Sequence, residues 1–351
     1  MKIKRSESHM VIGLLVLACL SGAARGASWR DYRKKPDEWF RGRDALTVAK
    51  NILSWQTPRG DWPKNLDTMS KPYRGDRKKL RGTFDNGATT DELRFLAKAF
   101  VATKNRDCGT AFVKGLDHIL AAQYPTGGWP QSSPPGRGYH RHITFNDNAM
   151  VRLMEFLRDV AEAEGFKFVT PDRRKKAKLA FNRGLACILK CQIKVNGKLT
   201  AWCAQHDEKN YKPRPARVYE HISISGCESV AIVRLLMSID KPRKEIVAAV
   251  HGAMQWFELA KITGIRQVSR NGDKVIVKDP KAPALWARFY QIGTNRPIFS
   301  GRDGVIKKAL AQIEHERRTG YAWYGTWPAA LTKPYAEWKK KHPTAGPATA
   351  R

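Results

Sequence analysis

The residues able to do chemistry in this chain are acids, amides and guanidinium groups placed where helices begin or break. Asp85-Asn86-Gly87-Ala88 and Asp147-Asn148-Ala149-Met150 each join a Gly/Pro/aromatic stretch to an apolar series. After the second pair, Met150, Leu153, Met154, Leu157, Val160 and Ala161 follow the spacing of a helix with one buried stripe, as do Leu93, Leu96, Ala97 and Phe100 after the first. An acid at such a join caps the helix, worth roughly 1 kcal/mol, or presents a hard anion to a cleft. That the same Asp-Asn grammar starts two helices argues for the cleft. Trp202 to Gly226 has no periodicity and is broken by Pro213 and Pro215, which makes it an irregular segment. Its His206-Asp207 and Glu220-His221 read as acid/base pairs or as hydrogen-bonded structural pairs. Arg288 in Trp-Ala-Arg-Phe-Tyr and Arg302 in Phe-Ser-Gly-Arg-Asp-Gly sit beside aromatics and glycines, which suits bidentate carboxylate or phosphate binding. Packing of the arginine stem on a ring is the structural alternative.

These residues belong to a repeat. Ile52 to Pro63 aligns without a gap on Ile119 to Pro130, an offset of 67, while the Asp-Asn pairs are offset by 62. A weaker third copy runs from Ile188 through Gln192 and Trp202 to a helix beginning near Ser225-Gly226-Cys227-Glu228, and a fourth ends at Gly320-Tyr321-Ala322-Trp323-Tyr324. Each unit reads as helix, long aromatic loop, helix. The expected fold class is all-α, an α/α toroid (a partial α,α-barrel) of these units with one small β-hairpin, the loops forming the cleft. That hairpin is Ile265 to Lys278, turning at Asn271-Gly272. Thr89-x-x-Glu92 is a capping box, and Thr170-Pro171 starts a further helix.

Residues 1–27 have the form of an export signal: Lys2, Lys4 and Arg5, an apolar run from Met10 to Leu20, then small residues. Cys19 faintly resembles a lipoprotein cleavage site, a minor variant of the same export reading. Residues 28–335 form one catalytic domain and 336–351 a disordered basic Pro/Ala tail. Cleavage lowers the formal charge from +32 by three, to +29, so the chain needs an anionic counterpart: nucleic acid, an acidic membrane or an acidic polysaccharide. Five cysteines remain, an odd number that leaves at least one unpaired; Cys187 and Cys191 read as core packing rather than zinc ligands.

Seven motifs in order carry a resemblance: G-x-W-P-K, D-N-G-A-T, G-G-W-P-Q, H-I-T-F-N-D-N-A-M, P-A-R-V-Y-E-H-x-S-I-S-G-x-E-S, W-A-R-F-Y and F-S-G-R-D-G, from about Trp39 to Pro328. Together they resemble the family-ten polysaccharide lyases, pectate lyases with an α/α-toroid fold. The resemblance implies calcium-dependent β-elimination of polygalacturonate, the de-esterified homogalacturonan, to unsaturated oligogalacturonides, and the chain is expected to be a monomer. It implies Arg217 as catalytic base, Asp85 and Asp147 as Ca²⁺ ligands, and Arg288, Arg302, Asn86 and Tyr219 as substrate contacts. One departure stands out: Thr83, with Arg81 nearby, occupies the place where a lysine is expected before D-N-G-A-T.

The chemistry is consistent with that assignment. Elimination across C4–C5 of a galacturonate removes a C5 proton activated only by an adjacent carboxylate, so neutralising charge is the central task. Hard oxygens holding Ca²⁺, and arginines, do so. An arginine base is unusual because guanidinium is normally protonated; His206 and His221 are the more ordinary bases. Two other functions fit the same composition. A uronide-specific glycoside hydrolase would use two carboxylates without calcium. A non-catalytic polyanion-binding module would bind in a salt-dependent, calcium-indifferent way, although no recognisable nucleic-acid motif is present.

Overall fold

Ten α-helices order the described residues: α1 (Trp29–Tyr32), α2 (Arg43–Trp55), α3 (Thr90–Thr103), α4 (Arg106–Ala121), α5 (Ala149–Glu162), α6 (Pro171–Cys191), α7 (Glu228–Met237), α8 (Lys244–Leu259), α9 (His315–Gly320) and α10 (Thr332–Lys341). They come from a computed structural model that describes residues 26–343. The expected leader, but for its last two residues, and the end of the expected tail lie outside the described residues. Among the described residues no helix is long and apolar enough to cross a membrane.

The repeat governs the packing. Helices α2, α4, α6 and α8 neighbour one another in one row and α3, α5 and α7 in a second, with α3 against both α2 and α4, α5 against α6, and α7 against α8. The loop between the members of each pair is fixed by the same two side chains. Trp62, Trp129 and Trp202 are fully buried, and each indole donates to a carbonyl of the preceding helix: Ile52 (2.8 Å), Ile119 (2.9 Å) and Ile188 (2.8 Å). Gln56, Gln123 and Gln192 end those helices, and each amide bridges its own loop (Gly60, Gly127, Thr200) to the next helix of the row (Ala111, Ala180, Ala249) at 2.8–3.0 Å. One glutamine thereby holds two repeats together. Truncating any of these tryptophans should cost about 3–5 kcal/mol, since a void of that size does not collapse.

Three expectations are corrected. The chain is not an all-α toroid: among the described residues 47% are helical, but six two-stranded antiparallel sheets lie in the loops, of which the expected hairpin is one. Helical periodicity reveals helices and is blind to two-residue strands such as Ile143–Thr144 on Gln205–His206, which form because long loops must pair their backbone groups with each other. The hairpin itself pairs Ile265–Arg270 with Asp273–Lys278 around Asn271-Gly272, both at positive φ. The fourth repeat tryptophan is Trp286, whose indole donates to Phe257 of α8 (2.8 Å); Trp323 bonds back to nearby Arg317 and belongs to a second apolar cluster with Tyr219 and Phe299. Residues 336–341, assigned above to a disordered tail, complete α10, with Trp338 buried beside His251. Lysine-rich composition masked the single apolar face.

Candidate active site

Neither Asp85 nor Asp147 caps a helix. Asp85 opens a short 3₁₀ turn (Asp85–Gly87), and α3 is capped instead by the Thr89/Glu92 box. The second turn is Asn146–Asn148, followed directly by α5, and no side chain caps it. Superposing the turns by backbone shifts the sequence alignment by one residue. Phe84 and Phe145 precede them with similar dihedrals, and the left-handed middle residue is Asn86 (φ 54°, ψ 24°) in one and Asp147 (φ 50°, ψ 25°) in the other. Asp85 therefore corresponds to Asn146, and Asp147 to Asn86. The two acids occupy neighbouring stations of the same turn, and runs of positive φ such as Asn86, Gly87 and Thr89 are the kind of backbone strain held at functional sites.

Asp85 is 1% exposed, and its Oδ2 accepts from the Lys64 ammonium and from Gln131 Nε2 (2.5 Å). Its Oδ1 is buried without a hydrogen-bond partner. Asp147 is more open, its side chain 38% exposed; it accepts from Asn146 Nδ2 (2.7 Å) and faces Arg288 Nη2 at 3.6 Å. Burial raises the Asp147 carboxyl above its ordinary range, against the Arg288 charge that lowers it. Burial should lower the Arg288 pKa, but Glu228, in direct ion-pair contact, and the groups Tyr321, Cys227 and Asp147 together outweigh it and hold the guanidinium charged. Glu228, 1% exposed, is also bonded to Ser225 at the head of α7.

Arg217 lies on the irregular segment between α6 and α7. Its Nε donates to Glu220 Oε2 (2.8 Å) and its Nη2 to Oε1, while the Tyr321 hydroxyl donates to the same carboxylate (2.7 Å). These bonds raise the Arg217 pKa above its ordinary value; burial opposes them. Tyr321 lies between the two arginines, its ring centroid 5.6 Å from Arg217 and 4.8 Å from Arg288, each a cation–π contact. Tyr219 is 4% exposed and packs under Arg217 (5.0 Å) and Arg317 (4.9 Å); its ring supports the guanidiniums and has no open face for a sugar. Asn86 is exposed and bonded to Asn65 (2.9 Å). Arg302 is an exposed side chain bound at both ends to Glu316 (3.1 Å each), which also holds Arg317, so it joins the centre indirectly.

The other candidates resolve by burial. His206 is fully buried between Tyr211 O (2.7 Å) and Cys203 N (3.1 Å), and burial pushes it down to about 4; it is a structural histidine. His221 bonds Ser300 Oγ (2.9 Å) beside Gly301 and is also lowered by burial. Among the described residues His142, Asp207 and Glu208 form a possible metal cluster, but Asp207 already accepts from Arg214 and the Lys209 and Asn210 amides, and His142 is bonded to Glu208 (2.9 Å). All five described cysteines are free, and Cys187 and Cys191 are core residues.

Sequence reasoning missed Lys64, Gln131, Glu228 and Tyr321. Thr83, where a lysine was expected, is buried and bonds Gln131 O (2.7 Å), while Lys64 reaches Asp85 from the same loop. For three of them the signal lay in the motifs, as the last residue of G-x-W-P-K and of G-G-W-P-Q and the second glutamate of P-A-R-V-Y-E-H-x-S-I-S-G-x-E-S. As for the implied calcium, the residues fit a hard cation, because a buried carboxylate oxygen of Asp85 lacks any partner and Asp147 stands near enough for its carboxyl to feel the Asp85 charge.

A family model described as pectic acid lyase matches residues 56–332. The chain belongs to the pectic acid lyase family. Membership carries the activity with it: the protein is an enzyme, a lyase that degrades pectate. It is similar to a solved family 10 polysaccharide lyase from Cellvibrio cellulosa, at 35% identity and a TM-score of 0.77, over 91% of this chain and 98% of that one. It is similar too to an aspartate-to-alanine mutant of the Cellvibrio enzyme in complex with trigalacturonic acid, at 34% identity, TM-score 0.77, 91% of this chain and 100% of that one. No curated protein matches this chain.

Proposed function

We propose that the enzyme is an exported monomer that cleaves polygalacturonate by calcium-assisted β-elimination, with Arg217 as base. The observation that carries this reading is the partnerless, buried Oδ1 of Asp85, an acid paired with Lys64 and near enough to act on Asp147, which Arg288 and Arg217 also face. A polyanion binder needs cations but no such acid. The leader-like residues 1–27 support export, and the trigalacturonic acid bound by the Cellvibrio mutant supports the substrate class.

Calcium held by Asp85 and Asp147 would supply neutralising charge to a uronate carboxylate. Arg288, kept charged by Glu228, adds to that neutralisation from the opposite repeat, and Arg302 meets a more distant carboxylate from the rim. Arg217 takes the C5 proton, the C4–O4 bond breaks as the C4=C5 double bond forms, and O4 receives its proton from solvent. Glu220 opposes the first event by holding Arg217 protonated, so turnover should climb with pH through the alkaline range. The ion pair must loosen when the substrate carboxylate competes for the guanidinium.

The test is ultraviolet absorbance of the unsaturated product from polygalacturonate, with Ca²⁺ or with EDTA. A calcium-dependent rise is expected, and its loss in Arg217→Ala with polymer binding intact. Reducing ends without absorbance would make the enzyme a hydrolase; more than a few per cent residual activity in the variant would remove Arg217 as base.

A further inference from the structure

Lys64 and Gln131 occupy the same station of the repeat, one residue beyond Pro63 and Pro130 at the offset of 67, and both donate to one atom, Asp85 Oδ2. Two loops from successive repeats thus converge on a single carboxylate. Gln131 is tied there by its main chain as well: its carbonyl accepts from Phe84 N (2.9 Å) and Thr83 Oγ1 (2.7 Å), and its own N–H donates to His140 O (3.1 Å). The side chain is therefore held beside the residues that flank Asp85 whatever its tip does.

Its tip is only half used. Nε2 is bonded to Asp85, whereas Oε1 is buried without a partner, on a residue 8% exposed. Asp85 Oδ1 has the same standing on a residue 1% exposed. Two acceptor-only oxygens, on side chains bonded to each other, lack donors in the same place. A buried oxygen left so is costly, and two of them on side chains bonded to each other make a place that a cation can complete. Amide orientation follows from the network: turning the amide over would set Oε1 against Asp85 Oδ2, two acceptors facing each other.

We propose that Gln131 is part of the cation site: its Nε2 fixes Asp85 Oδ2, and its Oε1 supplies a neutral oxygen ligand alongside Asp85 Oδ1. Hard cations such as Ca²⁺ take six to eight oxygens, amide carbonyls among them. A neutral ligand suits a place where the Asp85 charge is already shared with Lys64. This inference rests on the calcium reading given above.

The experiment is calorimetric titration of Ca²⁺ into the purified full-length protein without substrate. Gln131→Leu should weaken binding at least tenfold, and Gln131→Glu, which keeps an oxygen, should bind within about threefold of the parent or tighter. Lys64→Met, which keeps both oxygens and removes a competing cation, should bind at least as tightly as the parent. Melting in EDTA separates misfolding from ligand loss: both Gln131 variants keep the main-chain bonds, and Gln131→Glu, which sets a second carboxylate against Asp85, should melt below Gln131→Leu until Ca²⁺ is added. A Gln131→Leu affinity within twofold of the parent overturns the proposal while leaving the calcium reading intact. A parent protein that binds no Ca²⁺ overturns both.

Discussion

The turn at Asp85 and the turn at Asn146-Asp147 share a backbone and differ in what they expose. In the first the acid occupies the opening station, is sealed from solvent and is held by two donors from two loops. In the second the acid occupies the left-handed middle station, stays open to solvent, and meets Arg288 and its own neighbour Asn146. Beyond the turn they diverge again: Ala88 is extended and Thr89 left-handed before α3 begins, whereas Ala149 is already helical. Duplication supplied a scaffold, and a one-residue displacement of the acid made one copy a fixed anion and the other an adaptable one facing the cleft.

The comparison can be broken experimentally. Asp85→Asn removes the buried anion and leaves Lys64 without its partner; kcat/KM on polygalacturonate should fall about a thousandfold, about 4 kcal/mol of transition-state stabilisation. Asp147→Asn keeps shape and hydrogen bonding at a more hydrated site, and a fall of about thirtyfold, about 2 kcal/mol, is expected from initial rates; a larger loss here than at Asp85 would reverse the ranking. The backbone equivalence is tested by stability. Gly87 (φ 84°) and Asn148 (φ 62°) fill the third station. Gly87→Ala should destabilise by about 1–2 kcal/mol, because a left-handed alanine is strained, and its Cβ would also meet Asp91 Oδ2 at 2.9 Å. Asn148→Gly should change stability by less than about 0.5 kcal/mol, as asparagine already tolerates that conformation. Denaturant midpoints read both, and equal effects would mean that the two turns are not held alike.

The same two turns show why part of the site was legible and part was not. Asp85, Asp147, Arg217 and Arg288 carry charge at breaks in periodicity, so residue type and position alone single them out, and the structure brings all four together. The register of the turns was misjudged by one residue because matching Asp-Asn with Asp-Asn follows side-chain identity, while the chain repeats backbone dihedrals. Tyr219 and Tyr321 look equally suited to stacking a sugar, and only burial separates the platform under Arg217 from the ring that bridges Arg217 and Arg288.

By itself the sequence determined the repeat, its helices, the capping box at Thr89, the hairpin and the family, since each depends on local spacing: a 3.6-residue period, a turn residue's φ, a motif's order. Tertiary structure alone decided the rest. Lys64 and Gln131 meet at one oxygen, Glu228 holds Arg288 across 60 residues, and Arg217 shares Glu220 with Tyr321 across 101. Such pairings follow from how successive loops lie against each other, and the free energy of a buried charge depends on which partner arrives, which no local pattern records.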